Sequence, residues 1–370
     1  MLNLCNTLFF SEKDLSLDQK NSRLSSPATT SPNDYGESPR RHSCSPDIKL
    51  TRFYKLPVNT QFESSSYTVI GSVNGLICFY YKSYNDDYLI HIWNPSLSAV
   101  LTLPPYSLST RISKKIYLRF GFDPKTDDYK VVKFTSLFQP CNEVAKGEVY
   151  SMRKGSWELI SQRLPPHVIS NQNKVDVDDI DSYLHWLFYI DKEMKARTIV
   201  AFDLGAETFC EIPLPDSILD YTHWYNVVGV LSGKLCVISR GKGGKCEVWV
   251  MEEYRVAASW VKRHVFSHLS GGIIPYGITL HNEFLLKVDG GFCLYDPISA
   301  KNKTFEIKGR IHITEIVEYI DSLVWVAPAE HALSKGHLSV SNWKRYRLLK
   351  GLQKATKGIS QFLFCEGISR

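Results

Sequence analysis

Between Thr51 and Ala327 the chain is a succession of short apolar runs broken by turn residues. The runs recur about every ten residues, and few of them have helical spacing, which predicts an all-β sandwich, barrel or propeller. An internal repeat separates these. Each unit has a Gly-led apolar strand, a strand ending in aromatic-Asp/Asn, a turn, and a strand ending near Pro. Gly75-Leu76-Ile77-Cys78 leads to Ile92-Trp93-Asn94-Pro95 and then Leu101-Thr102-Leu103-Pro104. Leu184–Leu187, Gly233–Cys236 and Glu283–Leu286 open further copies, and Phe120–Trp157 holds another. The aromatic anchors Trp93, Tyr150, Phe202, Trp249 and Tyr295 are 57, 52, 47 and 46 residues apart, close to the period of four-stranded propeller blades.

Blades stack face to face, so a blade strand is buried on both sides. That accounts for Gly75–Tyr81 and Tyr183–Ile190, which are nearly continuous apolar runs rather than alternating ones. Asn94-Pro95, Asp123-Pro124 and Asp296-Pro297 mark strand ends, because the acid or amide bonds the turn backbone and Pro cannot continue a ladder. Five complete units fit, followed by strands at Ile311–Tyr319 and Ser322–Val326. Thr51–Val58 is expected to complete the last unit, giving a kelch-like propeller of about six four-stranded blades over residues 51–327.

Composition changes the picture at both ends. Residues 1–50 hold nine Ser and four Pro, including four Ser-Pro steps, and read as a disordered head. The formal charge is +6, and residues 328–370 carry eight Lys/Arg against two Asp/Glu. The body is therefore neutral, and only a basic tail is charged. This disfavours a nucleic-acid-binding body. In the tail, Asn342–Lys357 reads as a short amphipathic basic helix, with Trp343, Tyr346, Leu349 and Leu352 at spacing three. No apolar run is long enough to span a membrane. Nine cysteines without a C-x-x-C pair point to a reducing, intracellular setting, in cytoplasm or nucleus, rather than to zinc or redox chemistry.

A search for catalytic chemistry gives no convergent set, so no enzyme activity, cofactor or metal is expected. The stretch Ser239–Lys245 is a Gly/Lys hairpin loop without the G-x-x-x-x-G-K-[ST] pattern. His264 and His268 lie four apart without a completing ligand, His185 reads as a core histidine, and Asp176–Asp181 as a solvated acidic turn.

The ordered set of motifs is similar to the F-box associated domain of plant F-box proteins. Gly71–Cys78, Ile92–Pro95, Phe120–Pro124, Asp127–Val132, Glu148–Ser151, Leu184–Leu187, Ile199–Leu204, Val248–Tyr254 and Ser259-Trp260 carry the resemblance, collinearly from about residue 67 to 326. It implies a propeller that recruits a protein substrate, which an F-box then joins to a Skp adaptor and a cullin ubiquitin ligase. Residues 1–66 lack the Leu-Pro start, amphipathic helix and Cys-Lys-x-Trp end of an F-box. Adaptor and cullin are therefore expected only where an F-box is present, and the alternative is an F-box-less competitor or scaffold. A propeller enzyme is the third reading.

Antiparallel connections alternate between the two ends of a blade. Tight turns fall at one end: Val73-Asn74, Asn94–Ala99, Leu204–Glu207 and Ser232-Gly233. Long loops fall at the other: 104–115, 135–147, 161–174, 215–226 and 266–275. Two long loops carry aromatics outside any strand pattern, Tyr106 and then Tyr221, Trp224 and Tyr225. Tyr and Trp are enriched at interface hot spots, so these four are the candidate partner-binding residues, with Trp224 central.

Overall fold

A computed structural model describes residues 7–11, 52–54, 67–82, 88–106, 114–137, 147–162, 182–189, 197–215, 218, 226–240, 245–266, 273–288, 291–305, 313–326 and 360–366. Two short strands come first, β1 (Thr7–Ser11) and β2 (Arg52–Tyr54). Blade one follows as β3 (Tyr67–Val73), β4 (Leu76–Lys82), β5 (Tyr88–Asn94) and β6 (Ala99–Thr102). Blade two is β7 (Lys114–Asp123), β8 (Asp128–Leu137), β9 (Gly147–Ser151) and β10 (Ser156–Leu159). Blade three shows β11 (Tyr183–Tyr189), β12 (Arg197–Asp203) and β13 (Thr208–Pro213). Blade four is β14 (Val227–Leu231), β15 (Lys234–Arg240), β16 (Cys246–Met251) and β17 (Trp260–Phe266). Blade five is β18 (Ile274–Ile278), β19 (Phe284–Val288), β20 (Gly291–Asp296) and β21 (Lys301–Phe305). The last strands are β22 (Ile313–Ile320) and β23 (Ser360–Glu366).

Every pairing is antiparallel between neighbours in each blade. The innermost strands close a ring: β3 lies beside β7, β14 beside β18, β18 beside β22, and β22 beside β3. In blade three the described strand nearest the ring is β11, the counterpart of the second strands elsewhere, and it lies against both β7 and β14. The aromatic anchors read from the sequence all fall on equivalent strands, β5, β9, β12, β16 and β20. Those strands are sandwiched, and Tyr150 and Phe202 are fully buried.

Five blades are built from consecutive strands, where the repeat arithmetic gives six. The gap between blades five and one holds a sheet of different make, ordered β2-β1-β23-β22. As expected, Thr51–Val58 supplies a strand to this last sheet: Arg52–Tyr54 forms its edge strand β2, paired with β1. One expectation is corrected there: Ser322–Val326 is not a paired strand. In addition, Thr7–Ser11 and Ser360–Glu366, within the segments read as disordered head and basic tail, both form strands of this sheet. The physical reason is local. TLFFS and QFLFC are short apolar runs with strand character, and averaging composition over forty to fifty residues conceals them.

Four apolar clusters fill the gaps between successive blades. Cys78, Ile92, Phe120, Val131 and Tyr150 lie between blades one and two. Phe134, Trp186, Val200 and Phe202 lie between two and three. Leu187, Ile199, Ile212, Val228 and Val237 lie between three and four. Cys236, Val248, Phe284 and Tyr295 lie between four and five. Two gaps carry a further bolt. The outer-strand indoles Trp157 and Trp260 donate Nε1–H to the carbonyls of Pro104 and Pro213 in the preceding blade, at 2.8 and 2.9 Å. Each bolt joins a backbone carbonyl at the end of one blade to a Trp on the outer strand of the next.

Residues 321–326 form an extended strap over the tight-turn end of blade one. Its side chains alternate, with Ser322, Val324 and Val326 buried and Leu323 and Trp325 outward. Val324 and Val326 join the cluster between blades one and two. The buried Asn94 amide donates Nδ2–H to the carbonyls of Ser322 and Val324, at 3.0 and 2.7 Å. Ser96 Oγ meets Tyr319 Oη at 2.5 Å and accepts the Ser322 N–H at 3.0 Å. Gly75 lies directly under the strap. Its φ is +76°, and a Cβ there would stand 2.1 Å from Ser322 Cβ and 2.4 Å from the Ile320 carbonyl oxygen.

Two substitutions separate strain from contact at this seam. Gly233 has the same φ of +76° but open space around a Cβ, so Gly233→Ala is expected to cost only about 1 kcal/mol of backbone strain. Gly75→Ala adds displacement of the strap and is expected to cost distinctly more in urea unfolding. Asn94→Ala strands two buried carbonyls and is expected to cost about 3 kcal/mol. Equal losses for the two glycine variants would show that the strap is not packed against Gly75.

Candidate partner-binding faces

The alternating connections give the propeller two unlike ends. At one end lie the nine non-glycine residues with positive φ found among the described residues. Asn74, Asp127, Ser182, Ser232 and Asn282 precede second strands, β11 included, and Ser98, Glu207, Arg255 and Ala300 precede fourth strands. Short polar side chains reinforce these turns. Asp203 Oδ1 accepts the Gly205 and Ala206 N–H groups at 2.8 and 2.9 Å; burial pushes its carboxyl up, but these bonds, the Tyr183 hydroxyl and Lys125 together hold it below the usual range. Asp296 accepts the Ile298 N–H at Oδ1 and the Ser299 hydroxyl at Oδ2, at 2.9 and 2.6 Å. The long connections between second and third strands, and between blades, leave from the opposite end.

Of the four aromatics singled out by sequence, the structure describes Tyr106. It is half-buried and packs on the cluster between blades one and two. Its Oη accepts the Tyr88 N–H at 3.2 Å, Trp157 meets it edge-on at 6.2 Å, and the Lys133 ammonium stands 3.5 Å from its ring centre. Lys133 is in turn paired with Glu148 at 3.0 Å, both fully buried. Tyr106 thus covers a buried ion pair and cements two blades. Tyr221, Trp224 and Tyr225 lie outside the described residues. On either side of them, Ile218 and Asn226 are buried, Ile218 in the cluster between blades three and four. Tyr106 belongs to a different gap, between blades one and two.

The histidines resolve individually. His185 is fully buried, with Nε2 2.9 Å from Tyr254 Oη, as a core histidine should be. His264 lies on β17 edge-on to Phe284 at 5.7 Å, and burial lowers its pKa. His268 and Asp176–Asp181 lie outside the described residues. Among the described residues no three His, Cys, Asp or Glu side chains converge as a metal site, and no helix is long and apolar enough to cross a membrane. Cys78, Cys236, Cys246 and Cys293 are buried as thiols, and burial pushes Cys246 up to about 12.

The sequence reading missed two features. Large apolar side chains stand exposed at the tight-turn end: Leu280, Ile298, Leu323 and Trp325, with Ile298 89% and Trp325 54% exposed. The signal was present in Ile298, an aliphatic residue directly after the Asp296-Pro297 turn. The second feature is a buried polar pair in blade four, Asn226 and Ser239. Its trace in sequence is a polar residue at the end of an otherwise apolar run.

A profile of the F-box associated beta propeller domain matches residues 36–281. The chain belongs to that family. The F-box associated propeller is similar to an F-box/kelch-repeat protein of Arabidopsis thaliana, 27% identical over 62% of this chain and 61% of the relative. An Arabidopsis thaliana F-box protein is 30% identical over 59% and 55%, and the Arabidopsis thaliana F-box protein CPR1 is 29% identical over 52% and 51%. The chain thus spans between 51% and 61% of the length of these relatives. Among solved structures, the Dos1 propeller overlays 72% of this chain and 65% of its own at 13% identity and TM-score 0.42. A lectin of Aleuria aurantia overlays 69% and 84% at 9% identity and TM-score 0.43. Neither overlay is close enough to bear on function.

His91 gives this domain a measurable acid response. It is stacked between the Phe79 and Tyr81 rings at 5.1 and 5.5 Å, and its Nδ1 is 3.0 Å from Thr102 Oγ1. Burial lowers its pKa from 6.5 to about 4. The unfolded chain therefore takes up the proton first. The stability that neutral His91 contributes is complete above pH 6.5 and drains away as pH falls toward 4, by on the order of 3 kcal/mol at about 1.4 kcal/mol per pH unit. His91→Phe keeps the stacking and removes the titration. Its unfolding free energy is expected to fall less between pH 6.5 and 4 than that of the parent, and parallel curves would refute this.

Proposed function

We propose that this F-box associated propeller is a non-enzymatic module that binds a protein, and that it selects a substrate for a ubiquitin ligase of the Skp–cullin type. The observation that carries the first part is the family match over residues 36–281, a propeller domain associated with F-boxes. The names of the Arabidopsis relatives, all F-box proteins, support the second. The alternative role is that of a scaffold or competitor acting outside a ligase.

The long-loop end is the proposed recognition face. Loops on a rigid scaffold are where binding residues concentrate, and the segment between Ile218 and Asn226 carries Tyr221, Trp224 and Tyr225. Tyr106 is withdrawn from this set, because it is engaged with Lys133 and Trp157. A specific observation favours a second reading, in which the partner rests on the tight-turn end. Ile298 and Trp325 are more exposed there than large apolar side chains usually are.

The two readings separate in one experiment. The full chain is used to capture proteins from plant extract, with quantitative mass spectrometry of what is retained. Trp224→Ala is expected to lose the partner, by tenfold or more if Trp224 is a hot spot worth about 2 kcal/mol, with the melting temperature within a few degrees of the parent. Trp325→Ala is expected to retain it. The reverse pattern assigns recognition to the tight-turn end. Loss of fold by Trp224→Ala with capture unchanged in a folded Trp224→Phe would make Trp224 a packing residue.

A further inference from the structure

The exposed apolar side chains of the tight-turn end form a series. Leu280, Ile298, Leu323 and Trp325 are each half exposed or more. The Leu280 N–H donates to Glu318 Oε2 on β22 at 2.6 Å, so the first turn of blade five lies against the end of β22. The strap leaves that same end and carries Leu323 and Trp325 outward over blade one. Ile298 stands one hairpin further out in blade five, about 10 Å from the Leu280 turn at two strand spacings. The series therefore runs from blade five, past the end of β22, to blade one. Single exposed apolar residues are ordinary. Four at one end of a folded domain mark a surface that something covers.

The chain itself supplies a cover. It leaves the strap at Val326 and returns at Ser360, the first residue of β23. Ser360 pairs with Ile320, the last residue of β22, and the Ile320 carbonyl lies over Gly75 at the tight-turn end. Residues 327–359, which lie outside the described residues, thus start and finish beside the apolar series. This connection follows the strap rather than a tight turn, so no hairpin fixes its length. Within it, 342–357 has the amphipathic basic pattern. At about 100° per residue, Leu348, Leu349 and Leu352 fall in one arc, and Arg347, Lys350, Lys354 and Lys357 fall opposite. Lys357 precedes Ser360 by three residues, a separation of at most about 11 Å. The pattern is therefore tethered by its C-terminal end to the end of β22. A helix over 342–357 is about 24 Å long, enough to span Leu280, Leu323 and Trp325. Its short length and Gly351 leave such a helix marginal in water alone, so it needs an apolar support.

We propose that Leu280, Leu323 and Trp325, with Ile298 at the margin, are the docking surface for segment 342–357 of this same chain, seated as a helix through Leu348, Leu349 and Leu352. The contact is intramolecular, and its short tether raises the effective concentration of the helix at the surface, so a modest apolar contact suffices to hold it. The basic residues of the helix then face solvent. An untethered helix of this pattern suits an anionic membrane surface, but here the propeller is the nearer apolar partner. The inference goes beyond the choice of recognition face and does not depend on it.

The test is hydrogen exchange, read by mass spectrometry on the full chain. Backbone amides of 345–356 are expected to exchange about tenfold or more slowly in the parent than in Leu352→Glu. Trp325→Ser, on the other side of the contact, is expected to release the same amides to the same degree. Lys350→Glu, on the opposite face of the helix, is expected to leave their exchange within about twofold of the parent. Should Trp325→Ser also expose β4 and β5, Leu280→Ser makes the same test away from the strap. A benzophenone amino acid in place of Trp325 is expected to cross-link to 348–352 within one molecule. Exchange of 345–356 at the unstructured rate in the parent overturns the proposal, and so does slow exchange that survives both Trp325→Ser and Leu280→Ser. Cross-links between molecules give the surface to a second copy and overturn it. Slow exchange that appears only with phosphatidylserine vesicles gives the segment to a membrane and overturns it as well. None of these readouts uses partner capture, so their failure leaves the recognition face standing.

Discussion

The ring depends on how its two ends meet. Each gap between successive blades is closed by apolar packing that the chain can form locally, one blade after another. The last gap cannot form that way. There the strap Asp321–Val326 must find blade one, more than two hundred residues earlier, and the Asn94 amide is what receives it. Asn94 also caps the Pro95–Leu97 turn through Oδ1, which accepts the Leu97 N–H at 3.3 Å. One side chain therefore fixes a local turn and a contact between segments more than two hundred residues apart. The missing Cβ of Gly75 supplies the room, and the Tyr319–Ser96 contact sets the position along the strap.

Much of this was legible in the residues. Trp93, Tyr150, Phe202, Trp249 and Tyr295 occupy equivalent strands because a strand sandwiched between two blades needs large apolar volume at a fixed place. Asn94, Asp203 and Asp296 end the same strands because a short acceptor side chain can bond the next turn's N–H groups. What was not legible is whatever depends on distant partners. Ser322–Val326 has the alternation of a strand, yet its polar backbone is met by Asn94 rather than by a ladder. The sheet beside blade one draws β1 and β23 from opposite ends of the chain, which no periodic count could anticipate.

The candidate site was legible only in part, and for the same reason. Tyr106 stood out as an aromatic beyond a strand, which is also how a residue looks when it packs on a cation from the next blade. Lys133 is that cation. It was hidden in an apolar run as one charged position among valines and phenylalanine, with Glu148 opposite to neutralise it. Burying such a pair costs desolvation that its mutual attraction must offset, and the tyrosine ring adds to the attraction. Asn226 and Ser239 are the converse case, buried polar residues that looked like strand ends and have no such partner.

The nine left-handed residues gathered at one end of the propeller have a consequence for how the molecule can change. A tight hairpin turn fixes strand register, and a slip of one residue exchanges the two faces of the strand that follows. In a blade buried on both sides, that exchange would disturb two clusters at once. Length is therefore frozen at that end. At the opposite end, doubling a loop adds only about 0.6 kcal/mol of closure entropy, and no register depends on it. Insertions, grafted segments and lineage-specific growth are confined by geometry to a single crown, while the other end serves as an invariant base.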